Sequence, residues 1–143
     1  MNKTAITAAP ILPVIAERWS PRSFDHNHVI SQHDMLSVLE AARWAPSANN
    51  EQPWRFSVAN RGDDLHAQLV PLFSGWNQSW APAASAIIIV SIVHIKADGT
   101  ENPFAAYDAG LAVANLSIQA QELGLHTHQF AGLDHAAAGQ VLG

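Results

Sequence analysis

Apolar residues along the chain fall into short periodic runs separated by proline, glycine and polar turns. Ile11, Ile15 and Trp19 are spaced by four after Pro10, which predicts a short helix over residues 11–19, stopped by Ser20 and Pro21. Met35, Leu36, Leu39 and Ala42 or Arg43 share one face of a helix over 32–44. Ser31 is its N-cap, with Asp34 three residues on as the capping-box partner. Pro46 ends that helix, because proline lacks an N–H and biases Ala45 away from helical angles. Residues 54–59 read as a strand and 60–63 as a turn. Asp63 or Asp64 then caps a helix to about Phe73, with Leu65, Leu69, Leu72 and Phe73 on its apolar face.

The second half of the chain is more apolar. Residues 86–95 are almost continuously apolar and β-branched, the pattern of a central strand buried on both faces. A long helix follows over 103–123, opened by Pro103 and capped by Gly124. It is apolar nearly all round, and such a helix is normally enclosed on every side. In a chain of 143 residues that predicts a subunit interface as well as a core contact, with Gly110, Ala114 and Ser117 as a small-residue stripe. Residues 125–130 read as a strand, and Asp134 caps a last helix to Leu142. Residues 1–10 read as a loose arm. The fold class is α+β, in one domain over 1–143.

Composition narrows the partners. A net charge of −5 argues against non-specific binding to nucleic acid or a membrane surface. All seven basic residues lie at or before Lys96, so an anionic ligand must meet side-chain charge in the first two-thirds of the chain or on another subunit. The absence of cysteine excludes disulfides, thiolate metal sites and cysteine nucleophiles, and gives no sign of secretion. Lys3 and the residues to Ala16 have some signal-peptide character, but Pro10 and Pro13 break the run. The most apolar run, 83–95, is too short to span a bilayer, so a cytoplasmic protein without a membrane partner is expected.

Several groups carry candidate chemistry. Ser47, Asn49 and Asn50 sit in a helix-to-strand loop that is either an ordinary turn or a rigid base presenting polar groups to a flat polar ring. Arg18, Ser20 and Arg22 alternate, so an extended segment points all three the same way as a phosphate clamp; the other reading is a solvated turn. Trp76 and Trp80 either line a pocket or pack. Asp108 and Asn115 lie seven apart on one helix face, and a buried Asp108 needs partners, which reads as structural. His26 with His28, and His126 with His128, have i, i+2 metal geometry if on strands. Without cysteine or a nearby acidic third ligand they read as polar surface, and no metal is expected. No glycine-rich dinucleotide loop and no Gly-x-Ser-x-Gly elbow occurs.

Four stretches, in order, resemble the nitroreductase family, the FMN-dependent enzymes that reduce nitro compounds and quinones. Ala-Pro-Ser-Ala-Asn-Asn-Glu-Gln-Pro-Trp-Arg-Phe (45–56) is similar to its signature loop, and Glu-Arg-Trp-Ser-Pro-Arg-Ser-Phe (17–24) to its N-terminal arginine motif. Residues 107–125, from Tyr-Asp-Ala-Gly to Glu-Leu-Gly-Leu, resemble its central helix, and Phe-Ala-Gly-Leu-Asp (130–134) its flavin-contacting turn. The resemblance implies a central, mostly antiparallel sheet flanked by helices, a homodimer built on the long apolar helix, and FMN at the dimer interface. NADH or NADPH would be the donor and a small molecule the electron acceptor. By motif position, Arg18, Ser20 and Arg22 would hold the phosphate and ribityl chain, with Trp19 where the family often has a second basic residue.

Pro46, Ser47, Asn49 and Asn50 would lie against the ring, Asn50 hydrogen-bonding its polar edge. Ala131 and Gly132 would approach the flavin N5 through backbone N–H groups; the other reading of Gly132 is a plain turn glycine. His126 or His128 would stand near a substrate. No side chain needs to be a general acid, since the flavin carries the redox chemistry. Family members continue past the point where this chain stops, with a further strand, a partner-wrapping arm and a basic residue that reaches the phosphate. The alternatives are a non-catalytic flavin-binding or interaction module lacking that arm, and a histidine-based metal protein.

Overall fold

The computed structural model describes residues 3–143, so the first two positions of the expected loose arm lie outside the described residues. Seven regular elements follow in order: α1 (Pro13–Glu17), α2 (Gln32–Arg43), β1 (Trp54–Asn60), α3 (Asp64–Leu69), β2 (Ala86–Ile92), α4 (Ala105–Glu122) and α5 (His135–Leu142). Single 3₁₀ turns punctuate the connections. The chain forms two compact units. One takes residues up to Ser20, Ser31–Arg55 and Val90–Thr127; the other takes Pro21–Ile30, Phe56–Ile89 and His128–Gly143.

Helix ends follow local chemistry closely. The Ser31 hydroxyl oxygen accepts the Asp34 N–H at 3.0 Å, the expected N-cap, and its O–H donates to the Asp34 carboxylate at 2.8 Å, in place of the backbone bond of a full capping box. Asp63 caps α3, accepting the His66 N–H at 2.7 Å, and this bond is the chief cause of a carboxyl held below its ordinary range. Asp134 caps α5 through the Ala137 N–H at 3.0 Å. At the end of α4, Gly124 adopts φ +74°; its N–H reaches the Gln121 carbonyl at 3.0 Å while the Leu125 N–H reaches that of Ala120 at 2.8 Å. These two bonds make a Schellman motif, which requires the left-handed residue that glycine supplies without penalty.

In the first unit α2 packs on α4. Met35, Val38 and Ala42 are the buried face of α2, and Leu36 is exposed, so the buried stripe is rotated from the expected one. On α4 the buried stripe is Ala105, Ala109, Ala112, Leu116 and Ala120, and the Asn115 side chain donates to the Ala41 carbonyl at 3.2 Å. Within the single chain α4 is covered on one side only. Tyr107 is 70% exposed and Gly110 and Ala114 are open, although Ser117 of the small-residue stripe is buried. Alanine and glycine occupy both faces, so hydropathy alone hides which face is covered.

The second unit is built on aromatic packing. Trp80 stacks with Phe24 (6.2 Å between centroids), and meets Phe130 edge-on (5.4 Å) and His128 (4.4 Å), among buried Leu69, Phe73, Ala81, Ile87 and Ala138. Trp80 is therefore the packing residue of the two tryptophans and Trp76 the exposed one.

β1 and β2 form a two-stranded antiparallel sheet. Its end bonds run from the Val93 N–H to the Pro53 carbonyl (2.8 Å) and from the Arg61 N–H to the Ser85 carbonyl (2.9 Å). Three sequence expectations are corrected. β2 is not a buried central strand: it ends at Ile92, only Ile87 in it is buried, and Ile95 is 57% exposed. With a single neighbour, an apolar run forms a strand without being covered on both faces. Residues 125–130 form no regular strand, since none runs alongside them; instead Leu133 makes an isolated bridge with Phe73. α1 is five residues, without a side-chain cap or a buried residue, and the chain is already extended at Arg18.

Candidate functional site

Within the first unit the chain leaves α2 at Trp44 and turns sharply before β1. Asn49 (φ 53°), Asn50 (φ 58°) and Gln52 (φ 48°) are all left-handed. Asparagine tolerates that region, glutamine less so, and each such residue costs about 1–2 kcal/mol. A local net of bonds holds them. The Asn50 N–H donates to the Ser47 carbonyl and the Glu51 N–H to that of Ala48, both at 3.1 Å. The Gln52 N–H donates to the Ser47 hydroxyl at 3.1 Å, and the Gln52 amide to the Asn50 side-chain oxygen at 2.9 Å. The Ala48 N–H donates to the carboxylate of Asp108 at 3.1 Å, from 60 residues away. Pro46, Asn49 and Asn50 are exposed and Ser47 half-buried, so the loop is rigid at its base and open at its side chains.

Arg18 and Ser20 converge in the same unit, the guanidinium donating to the hydroxyl at 3.4 Å. Trp19 faces elsewhere: its ring lies 5.8 Å from that of His126, with the Lys3 ammonium 5.3 Å from its centroid. This is the alternation that an extended segment imposes. In the second unit Arg22 is exposed and its guanidinium lies 5.1 Å over the Trp76 ring. There too, the Gly132 carbonyl accepts the Ser74 N–H at 2.9 Å. Neither the Ala131 nor the Gly132 N–H has an acceptor among the described residues. A Cβ on Gly132 would overlap the Asn77 side-chain amide and lie 3.3 Å from the Ser74 carbonyl, so any larger residue must push the Asn77 side chain aside and crowd Ser74. Gly132→Ala should therefore cost about 1–3 kcal/mol by overpacking. Gly139→Ala, inside α5 with nothing within 4 Å, should stabilise by about 0.5–1 kcal/mol. Thermal melts of the two variants should move in opposite directions; a shared direction refutes the packing account.

Charge is unevenly satisfied. Among the described residues the one ion pair is Arg43 with Glu40 (2.6 Å). The Arg43 guanidinium, and then the Trp44 indole, hold the Glu40 carboxyl down at about 2. Arg55 donates to the Gln52 and Trp54 carbonyls, and Arg61 to those of Ala83 and His28. Among the described residues that leaves Arg18 and Arg22 as the guanidiniums engaged by neither a carboxylate nor a carbonyl. His126 bonds Gln121 at 3.0 Å and His128 the Pro21 carbonyl at 2.8 Å. Among the described residues no three His, Asp or Glu side chains are grouped to hold a metal ion.

Residues 15–79 match the model of the nitroreductase family. A solved oxidoreductase containing FMN has the same fold, with a TM-score of 0.85 and 36% identity over 93% of this chain and 68% of that one. The chain belongs to the nitroreductase family. Its nitroreductase-like α+β fold is the expected one. The major NAD(P)H-flavin oxidoreductase of Aliivibrio fischeri is 37% identical over 83 residues, 56% of this chain and 38% of that protein. The oxygen-insensitive NADPH nitroreductase of Helicobacter acinonychis (strain Sheeba) is 35% identical over 78 residues, 54% of this chain and 36% of that protein. The chain thus spans little more than a third of the length of the curated nitroreductase-family relatives it matches. The family match contains the arginine motif and the 45–56 loop. Asp108, whose buried carboxylate reaches that loop, lies outside the match; the sequence signal for it is an acid on an alanine-rich helix face.

Proposed function

We propose that this chain binds FMN and works as an NAD(P)H-dependent oxidoreductase on nitroaromatic, quinone or similar small-molecule acceptors. The observation that carries this is the rigid loop at 46–52, with exposed Asn49 and Asn50 side chains held by three left-handed residues. The available donors fit the cofactor's chemistry. Arg18 and Ser20 converge as a guanidinium and a hydroxyl for the phosphate and ribityl chain, and Arg22 carries a second unneutralised guanidinium. Ala131 and Gly132 have N–H donors without an acceptor among the described residues, which suit the flavin N5. Pro46, Ser47, Asn49 and Asn50 would present the loop's edge to the ring, with the Asn50 side-chain nitrogen left as donor because its oxygen is bound by Gln52. Trp19 would support the clamp from its other side. When bound, FMN would supply the redox chemistry, taking electrons from NADH or NADPH and passing them in a second half-reaction to the acceptor.

A homodimer fits the open face of α4, where Tyr107, Gly110 and Ala114 are uncovered. The test is a visible absorption spectrum of the purified protein before and after adding FMN and desalting, with light scattering for its mass. Retained flavin, twice the chain mass, and NAD(P)H consumption with a quinone or nitroaromatic are expected. A protein that returns colourless from desalting refutes the FMN reading. Retained flavin without turnover would instead identify a flavin-binding module.

A further inference from the structure

Asp108 is 2% exposed, in the first turn of α4, with the buried alanines Ala105, Ala109 and Ala112 on the same face. A carboxylate so placed needs a donor, because burying an unpaired charge costs far more than any apolar replacement. Its donor is the Ala48 N–H. Ala48 opens the 3₁₀ turn Ala48–Asn50, whose N-terminal amides lack partners within the turn. The residue at the capping position, Ser47, makes no cap bond, because its hydroxyl accepts the Gln52 N–H instead.

We infer that Asp108 is the positioning residue of the 46–52 loop. Its carboxylate acts as an N-cap supplied from another helix, and it holds Asn49, Asn50 and Gln52 in the left-handed conformations that aim the loop's side chains. With the FMN reading above, on which this part rests, Asp108 sets flavin affinity without touching the flavin. Neither the loop nor the helix reveals this alone: the loop holds its own capping serine, and the helix shows only a lone acid.

The test compares the full chain with Asp108→Ala and Asp108→Asn, by amide hydrogen exchange and by fluorescence titration with FMN. Losing a hydrogen bond to a charged group should speed Ala48 exchange, and raise the FMN Kd, by about tenfold or more in Asp108→Ala. The Leu116 amide in the middle of α4 should change much less. Asp108→Asn keeps an acceptor oxygen and should stay within about threefold of the parent in both. Ala48 exchange that is unchanged, or that rises only in step with Leu116, overturns the inference. Parent protein that binds no FMN, with Ala48 responding as described, removes the FMN reading and leaves the loop role standing. Equal FMN affinity in parent and Asp108→Ala overturns the role toward the ligand alone. Should Asp108→Ala fail to fold, Ala48→Pro removes the donor itself. Ser47, at φ −144° and ψ 154°, already has the extended backbone that precedes proline. The FMN Kd should again rise about tenfold, and an unchanged value overturns the inference.

Discussion

Changing Arg18 and Arg22 together to alanine is expected to weaken FMN binding by at least about a hundredfold. Each guanidinium would give the phosphate a charge-assisted bond, typically worth about 1.5–3 kcal/mol, and every ~1.4 kcal/mol is tenfold in affinity. Among the described residues neither arginine makes an ion pair that folding would miss: Arg18 is half-buried and bonded to Ser20, and Arg22 is exposed over Trp76. The melting temperature should therefore move little. Fluorescence titration of flavin-free protein with FMN reads the loss, and riboflavin supplies the control. Riboflavin lacks the phosphate, so it should bind the parent more weakly than FMN and bind the double variant no worse than the parent. Added salt should shrink the parent's preference for FMN, as it screens an exposed clamp. A double variant that holds FMN as tightly as the parent would dismiss the clamp.

Trp80→Ala should be the most damaging single change to stability. The residue is 6% exposed, stacked on Phe24 and edge-on to Phe130, so truncation leaves a large cavity costing about 3–5 kcal/mol. For a chain of this size that lowers the melting temperature by roughly 10 °C or more. Its indole N–H has no acceptor among the described residues, so Trp80→Phe forfeits no hydrogen bond there and keeps a ring in the stack. It should cost less than half as much as the alanine change. Trp76 is 69% exposed, and Trp76→Ala should change stability by no more than about 0.5 kcal/mol. Calorimetry on the three variants checks the order. A small loss at Trp80→Ala with a large one at Trp76→Ala would reverse the assignment of core and surface.

What the sequence determined by itself was the local chemistry. Capping by Ser31, Asp63 and Asp134, the Gly124 end of α4 and the break at Pro46 all appear where they were expected. The caps depend on bonds between residues three to five apart and the break on proline's own ring, so a short window of sequence contains the whole interaction. The candidate site was legible to the same degree: the alternation that puts Arg18 and Ser20 together, and the turn-forming asparagines at 49 and 50. Tertiary structure decided everything that needs a distant neighbour. It left 125–130 without a strand partner, opened one side of β2 and α4, and turned Trp19 toward His126. It set Gly132 close against Asn77 and Ser74, and joined Asp108 to Ala48. Burial and long-range hydrogen bonds are properties of pairs brought together by the fold, and hydropathy along one chain records only one member of each pair.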